Sequence, residues 1–356
     1  MQSHGIAYLE EKFGNFVHKP VYGHIELTYR CNYACLHCCC QGSENIAKEL
    51  TTKEILKILD DIHQAGCLWL AISGGDPLLR DDFKIIYYYA KKKGFLITLL
   101  TNGYLLNKKL IDYLAKYPPI SIDITVNSMD EKIYRHVTGA PRRALKKVKD
   151  NIEYAAKKGL SIIIKANAMK PNKNCIPQIK KWAAALPSKS PEKLFNFRYD
   201  PIIYPRFNGD TSPCRLRLNQ KELATLAKLD PDIACEERER KHKTISKTCR
   251  NNKIYYCNTY RDHFFIDPFG SLKFCSNTYD YSIDLKKISF KEGFYKKIPL
   301  LAKACFTTDS PCKDCHIRNI CYSCPAAALL EKDNKESPVK YFCRLAHHTA
   351  KIPYKK

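Results

Sequence analysis

From His24 to Leu229 the chain repeats one rhythm, a short apolar strand followed by an amphipathic helix, and this repetition limits the folds open to it. The pattern predicts strands near 24–30, 67–73, 95–100, 120–126, 161–168 and 194–201. Helices are expected near 51–65, 81–93, 108–117, 142–158, 176–186 and 221–229. Thr51-Thr52-Lys53-Glu54 has the capping-box form that opens a helix, and Gly66 stands where that helix should stop. Each helix must return the chain to the start of the next strand. Six such units in succession therefore predict an α/β fold with a parallel, right-handed, curved sheet.

The strand at 120–126 adds a second constraint. Ile120, Ile122, Ile124 and Val126 share one face, and Ser121, Asp123, Thr125 and Asn127 share the other. A parallel sheet wrapped by helices shows neither face to bulk water, so the polar face should line a ligand cavity. The unusual short motifs fall just after strands, at the carboxyl ends where such sheets keep their sites. Cys31, Cys35 and Cys38 follow the first strand, Gly74-Gly75-Asp76 the second, Thr101-Asn102-Gly103 the third and Asn127 the fourth. Asp200 and Arg206 sit where the sixth strand leaves the sheet, as substrate contacts or as parts of an ordinary turn. Asp123 faces the same lumen and is a further catalytic candidate.

Cys31, Cys35 and Cys38 have C-x3-C-x2-C spacing. Three thiolates on a short loop can hold three corners of a cubane iron–sulfur cluster and leave the fourth iron open, as catalytic metal sites leave a position open. Zinc, or thiols that are merely buried, are the alternatives. Beyond the charge run 236–243 the strand–helix rhythm stops and cysteines crowd together. Cys249, Cys257 and Cys275 come first, then Cys312, Cys315, Cys321, Cys324 and Cys343. Eight thiols make two four-thiolate sites, for which zinc again competes. Cys39, Cys40, Cys67, Cys175, Cys214, Cys235 and Cys305 are expected to be structural, with His37 packing beside the triplet.

Eighteen cysteines would suggest disulfides in a secreted protein, but Met1 to Lys19 lacks the layout of a secretory signal. A cytoplasmic address and metal-ligating thiols are the expectation. No apolar run reaches membrane-spanning length, so no membrane partner is expected. The net charge of +24 comes mostly from lysines spread along the chain. That dispersal argues against a nucleic-acid-binding surface, although basic surface can attract an acidic peptide.

Together these residues resemble the radical SAM superfamily, in the branch with a C-terminal SPASM domain. The resemblance runs from Val21 to Cys343 and implies a partial (βα)6 TIM-like barrel with a small cysteine-rich iron–sulfur domain. It divides the chain into an N-terminal extension at 1–20, a radical SAM core at 21–235 and a SPASM domain at 236–356. Cys31, Cys35 and Cys38 match the loop that binds a [4Fe–4S] cluster whose open iron is chelated by S-adenosylmethionine (SAM). Gly74-Gly75-Asp76 matches the turn that takes the methionyl amine, with Asp in place of the more usual Glu. Thr125 and Asn127 match the pair that holds the ribose, where the family often has Ser and Asp. The resemblance assigns Cys249, Cys257, Cys275 and Cys324 to one auxiliary cluster and Cys312, Cys315, Cys321 and Cys343 to a second. The x2 spacing between Cys321 and Cys324 departs from the family's x3 and puts that division in question.

The implied activity is reductive cleavage of SAM to a 5′-deoxyadenosyl radical, which takes hydrogen from the substrate. Auxiliary clusters suit a net oxidation, so a crosslink or dehydrogenation in a ribosomal peptide is the expected outcome. The partners implied are a peptide or protein substrate and a reductant such as flavodoxin or ferredoxin. The triplet begins at residue 31, which leaves no room before it for a leader-binding domain, so a separate leader-binding protein, or recognition through the barrel and SPASM domain, is expected. Ser276 stands where sulfatase-maturing enzymes carry Asp, which weighs against that reading. A small-molecule dehydrogenase is the enzymatic alternative. An electron-transfer or zinc-scaffold protein is the non-enzymatic one, and it leaves Gly74-Gly75-Asp76 without a role.

Overall fold

The computed structural model describes residues 18–41, 48–187, 196–229, 252–255, 257 and 259–350. The charge run at 236–243, Cys235, Cys249 and the first two residues expected of the sixth strand lie outside this set. The strand–helix alternation is present. Strands β1 (Tyr22–Glu26), β2 (Trp69–Ser73), β3 (Leu96–Thr101), β4 (Ser121–Thr125), β5 (Ile162–Asn167) and β6 (Phe197–Asp200) pair in parallel with their sequence neighbours.

The helices are α1 (Thr52–Gln64), α2 (Phe83–Lys92), α3 (Lys108–Lys116), α4 (Glu131–Thr138), α5 (Ala144–Lys157), α6 (Ile176–Ala184) and α7 (Gln220–Leu229). The Thr51–Glu54 capping box closes at the start of α1 as its sequence requires. Helix α4 was not anticipated. Its signals are Asp130, whose carboxylate caps Ile133 N, and a left-handed Gly139 that ends it.

The sheet also extends beyond the six expected strands. Strand β7 (His263–Ile266) pairs in parallel with β1, and β8 (Ser271–Lys273) and β9 (Ile283–Asp284) follow antiparallel. The order is β6-β5-β4-β3-β2-β1-β7-β8-β9. The cysteine-rich region therefore begins by continuing the same sheet. It is completed by short helical turns over 290–302 and by α8 (Pro325–Lys332) and α9 (Lys340–Ala350).

One face of the sheet is apolar and covered by helices. Ile25, Ile72, Leu99, Ile122, Ile124 and Ile164 are fully buried with Leu59, Ile62, Ile86, Ile111, Leu114, Val148 and Ile152. Each such side chain contributes about 1.5–3 kcal/mol relative to exposure. Ile120 departs from its expected face and is half exposed, because β4 begins one residue later. The other face carries Tyr22, His24, Ser121, Asp123, Lys165 and Arg198 and encloses a lumen. The polar face of β4 thus lines a cavity, as its alternation predicted.

Candidate active site

The triplet loop leaves β1 at the carboxyl end of the sheet and is held from several sides by backbone hydrogen bonds. Gly75 N and Asp76 N donate to the carbonyls of Thr28 and Arg30 at 2.7 and 2.8 Å. Ala34 N and Leu36 N donate to the carbonyls of Thr138 and Val137 at 3.0 and 2.9 Å, so the end of α4 forms one wall of the loop. Gly139 lets that wall close, since a Cβ there would meet Ala34 at 3.2 Å. Phe207 N donates to the Cys39 carbonyl at 2.8 Å, and Arg206 Nη1 donates to Gln41 Oε1 at 2.6 Å.

The glycines of the second motif allow a close backbone approach. A Cβ on Gly74 would lie 2.2 Å from the Thr28 carbonyl oxygen, and one on Gly75 would lie 2.3 Å from that of Arg30. They let the turn pack against the chain leading into the triplet, so the close approach is to this protein's own backbone. Asp76 is fully buried and turned inward. Its carboxylate accepts from Leu78 N, Thr101 Oγ1 and Asn102 N at 3.0, 2.8 and 3.0 Å. Burial raises its pKa against those hydrogen bonds. The carboxylate ties the second motif to the third.

Asn102 then reaches the cysteines, with Nδ2 at 3.7 Å from Cys31 Sγ and 2.8 Å from Asn32 Oδ1. Burial pushes the Cys31 thiol up to about 11 and raises Cys35 further, and each lies in the field of Cys38. Cys38 is raised first by contact with Cys40, sulfur to sulfur at 3.5 Å, so Cys40 adjoins the triplet and Cys38 directly. Bound iron would reverse this protonation, because a coordinating thiol is deprotonated outright.

Buried polar atoms without partners occur within the motifs. They include Asn32 Nδ2 and Asn127 Nδ2. Asn127 is fully buried, with Oδ1 occupied by Asn167 N at 2.8 Å and its carbonyl by Asn172 Nδ2 at 2.7 Å. Its amide N–H groups remain to be satisfied, as a hydroxyl-bearing ligand would do. Thr125 is half-buried at the end of β4. The three thiols, the Asn102 donor and the orphaned amides therefore fit a cluster with a polar ligand beside it. Among the described residues, no group of three or more His, Cys, Asp or Glu converges on a single-ion position.

The remaining candidates are placed as follows. Asp123 faces the lumen, but its carboxylate is held by Lys165 Nζ at 2.8 Å, Arg198 Nη2 at 2.9 Å and Ser121 Oγ at 2.9 Å. Asp200 Oδ1 accepts from Ile202 N at 2.8 Å and shapes the exit from β6. Arg206, besides binding Gln41, pairs with Asp210 at 3.0 Å and braces the triplet loop. Sequence reasoning passed over Lys165 and Arg198. Their signal was the alternation Ile163, Lys165, Asn167, which puts a cation on the same face as Asp123.

Glu26 was also missed. It is buried at the end of β1 with Oε2 unpartnered, and burial pushes its pKa up to about 8 against help from Tyr29 and Lys273. An unfolded glutamate loses its proton near its ordinary 4.5, whereas the folded one keeps it to about 8. The folded state therefore binds more protons in this window, and stability falls as pH rises from about 5 to 8 by up to about 1.4 kcal/mol per unit. Glu26→Gln is expected to flatten that slope in urea midpoints measured at each pH. Equal slopes in variant and wild type would refute this account.

The C-terminal thiols fall into two neighbourhoods. Cys324 lies in the field of Cys275 and Cys257, whereas Cys321 lies in that of Cys343, Cys312 and Cys315. Burial raises Cys321 and Cys324 to about 12 and Cys343 to about 11. A cavity of about 290 Å³ is lined by Cys257, Cys312, Cys315, Cys321, Cys324 and Cys343. Cys275 instead lines the lumen beside Asp123 and Lys165.

A parallel sheet with a three-thiol loop at its carboxyl end defines the class. Residues 25–180, the segment that carries the triplet and the glycine turn, match the radical SAM superfamily. That family implies a [4Fe–4S] cluster and SAM. Among particular proteins, the chain is 27% identical over 238 residues to a probable GTP 3′,8-cyclase of Pyrobaculum aerophilum, covering 62% of this chain and 76% of that one. It is 29% identical over 135 residues to the mycofactocin maturase MftC of Mycobacterium ulcerans, covering 38% of this chain and 37% of the maturase. The chain thus spans little more than a third of that maturase. Streptococcus suis SuiB bound to S-adenosylmethionine shares the fold with a TM-score of 0.67 at 18% identity, over 94% of this chain and 77% of SuiB. No helix among the described residues is long and apolar enough to cross a membrane.

Proposed function

We propose that this chain is a radical SAM enzyme that modifies a peptide or protein oxidatively, by a crosslink or a dehydrogenation. The observation that carries the reading is the position of Cys275. It lines the same lumen, about 520 Å³ in volume, as Asp123 and Lys165 on the strands below the triplet. A substrate there would lie against the polar face of the strands whose carboxyl ends lead to the triplet, and against a thiol of the cysteine-rich region. In support, MftC is named a maturase, and SuiB has been solved with its precursor peptide SuiA.

When bound, the triplet cluster and SAM would supply a carbon radical able to take one hydrogen atom, and auxiliary clusters would offer an acceptor for the electron left as the second hydrogen departs as a proton. Cys31, Cys35 and Cys38 would hold the first cluster. Thr125 and Asn127 would donate to SAM hydroxyls, and the Gly74-Gly75-Asp76 turn would offer it backbone carbonyls. Cys257, Cys275 and Cys324, with Cys249, would hold one auxiliary cluster, and Cys312, Cys315, Cys321 and Cys343 the other. Asp123 orients Lys165 and Arg198, Asp200 shapes the exit from β6, and Arg206 braces the triplet loop. The buried face of the lumen keeps water from the substrate radical. The reading keeps a core at 21–235 and a SPASM region at 236–356, a separate leader-binding protein, a flavodoxin or ferredoxin reductant and a cytoplasmic setting. GTP cyclisation is the second reading, favoured by the longer match to the cyclase.

Anaerobic reconstitution should give about twelve irons per chain, from three cubane clusters. The reduced-cluster spectrum should change on adding SAM, and dithionite should produce 5′-deoxyadenosine. Zinc at the thiols, with no SAM cleavage after reduction, would overturn the radical reading. Conversion of GTP without action on any peptide would select the cyclase reading.

A further inference from the structure

We propose that the surface where the triplet loop reaches solvent, beside the end of α4, is the docking site of an acidic one-electron donor protein such as a flavodoxin. This rests on the cluster-bearing triplet of the reading above and names the face through which its electron enters. The loop comes to the surface at Ala34, which is exposed although its neighbour Tyr33 is buried. Ala34 directly precedes Cys35, and consecutive Cα atoms are only about 3.8 Å apart. Ala34 N also donates to the Thr138 carbonyl at 3.0 Å, which fixes this part of the loop to α4. Gly139, itself exposed, lies against it, since a Cβ there would meet Ala34 at 3.2 Å. A protein seated on this spot would sit one residue from a thiol of the triplet.

The side chains around that spot are cationic. From Asp130 to Asp150 the chain carries seven lysines and arginines against three carboxylates. Each carboxylate is occupied locally. Asp130 caps Ile133 N at 2.8 Å, Glu131 accepts from Arg143 N at 2.7 Å, and Asp150 pairs with Lys146 at 2.7 Å. Glu131 in this way holds Arg143 at φ +65, a left-handed conformation that a residue with a side chain adopts only at a cost. Lys132, Arg135, Arg142 and Arg143 are exposed, and among the described residues none of them pairs with a carboxylate. The rest of α5 adds one charge of each sign, Glu153 and Lys157.

The neighbouring elements leave this surplus in place. Val137 of α4 packs against Met169 and Ile203, with Leu216 alongside. Beside those residues Lys170 and Arg215 are exposed, while Lys173 is paired with Glu222, Arg206 with Asp210 and Arg217 with Glu331. On the other side of the loop Arg30 and Arg80 meet Glu49 and Asp82, two cations against two carboxylates. Asp76 is fully buried within the second motif and is too little to reverse the balance.

Such a surplus selects an acidic partner, and its position selects the kind. Opposite charge steers encounter and raises association rates by roughly 10- to 10³-fold at low salt. Arginines hold the exposed centre of the patch, and their planar forks take carboxylates bidentately. Electron transfer weakens steeply with distance, so a donor gains from lying over Ala34. A substrate, which must reach the lumen, does not. In the step itself the donor loses one electron and the triplet cluster gains it, with no bond made or broken and no proton crossing the interface.

The test uses the anaerobic, cluster-loaded enzyme and an acidic flavodoxin, with two readouts. Binding of dye-labelled oxidised flavodoxin is followed by fluorescence anisotropy, and reduction of the cluster by reduced flavodoxin is followed by stopped-flow absorbance. Arg135→Glu with Arg142→Glu should weaken binding and slow reduction roughly tenfold or more at low salt. Added KCl should slow the wild type toward the variant. Arg135→Gln with Arg142→Gln should fall between the two. SAM cleavage driven by dithionite, which needs no docking, should keep its wild-type rate in both variants, and their melting curves should match the wild type. Lys291→Glu with Lys296→Glu, at exposed positions in the cysteine-rich region, is the control and should change neither readout. Slowing by that control and not by the arginine variants would overturn the proposal and route the electron through the C-terminal thiols. An equal loss under dithionite would also overturn it, by making the arginines part of the loop's structure. Arginine-dependent reduction without modification of any peptide would uphold the docking face and refute the peptide reading.

Discussion

Cys35→Ala is expected to abolish reductive SAM cleavage, a loss of at least about 10³-fold set against enzymatic accelerations of 10⁶ or more. The thiol sits in the middle of the triplet, in the field of Cys31 and Cys38. Two remaining thiols cannot hold the cluster with one iron left open. The fold should survive, because the loop is fixed by main-chain bonds from Ala34 and Leu36 to the end of α4, and these do not involve the sulfur. Iron held by the C-terminal thiols should remain, so the iron count drops by about a third on the three-cluster reading. The measurements are 5′-deoxyadenosine formation under dithionite, iron content and a thermal melt. Cleavage at the wild-type rate would remove the triplet from the centre of the chemistry.

Gly75→Ala should be nearly as damaging without touching a thiol. The added Cβ would sit 2.3 Å from the Arg30 carbonyl oxygen and 2.5 Å from that of Tyr29, both rigid backbone atoms directly before Cys31. Relief requires the turn to move away, which breaks the bonds from Gly75 N to Thr28 and from Asp76 N to Arg30. A shift of about 1 Å between the SAM turn and the cluster loop is enough to cost roughly 10²-fold in rate. The overpacking itself should destabilise by about 1–3 kcal/mol. Gly66→Ala is the control. Gly66 has φ +94, and an added Cβ there would meet nothing within 4 Å, so this variant should lose stability through local strain and keep the SAM-cleavage rate. Similar cleavage rates in the two variants would show that the Gly74-Gly75 turn does not position the triplet.

Much of the architecture was legible in the residues because it rests on periodicity. The alternation of Ile122 and Ile124 with Ser121 and Asp123 fixes which face of β4 meets helices and which meets the lumen, and the structure keeps both. Motifs that follow strands must gather at one end of a parallel sheet, so the triplet, the glycine turn and Thr101-Asn102 could be brought together before any contact was known. Helix α4 and strand β7 were not legible in the same way. Strand β7 is four residues long and lies far from β1 in sequence, and its pairing depends on a partner that no local pattern names. Helix α4 is only eight residues, yet its last turn forms a wall of the cluster loop.

Side-chain direction was the other hidden quantity. Asp76 reads as a ligand-facing acid in its motif, but a buried carboxylate must satisfy its oxygens, and the nearest donors were Thr101 and Asn102 across the turn. Arg206 and Asp200 likewise found partners within the loop they occupy. Spacing and alternation, which are local and set by the backbone's own repeat, were enough to specify a three-thiol loop at the carboxyl end of a parallel sheet. Which charges face one another across the lumen, and which are already spent on a neighbour, depends on strands distant in sequence meeting in register. Asp123, Lys165 and Arg198 are neighbours only because β4, β5 and β6 are.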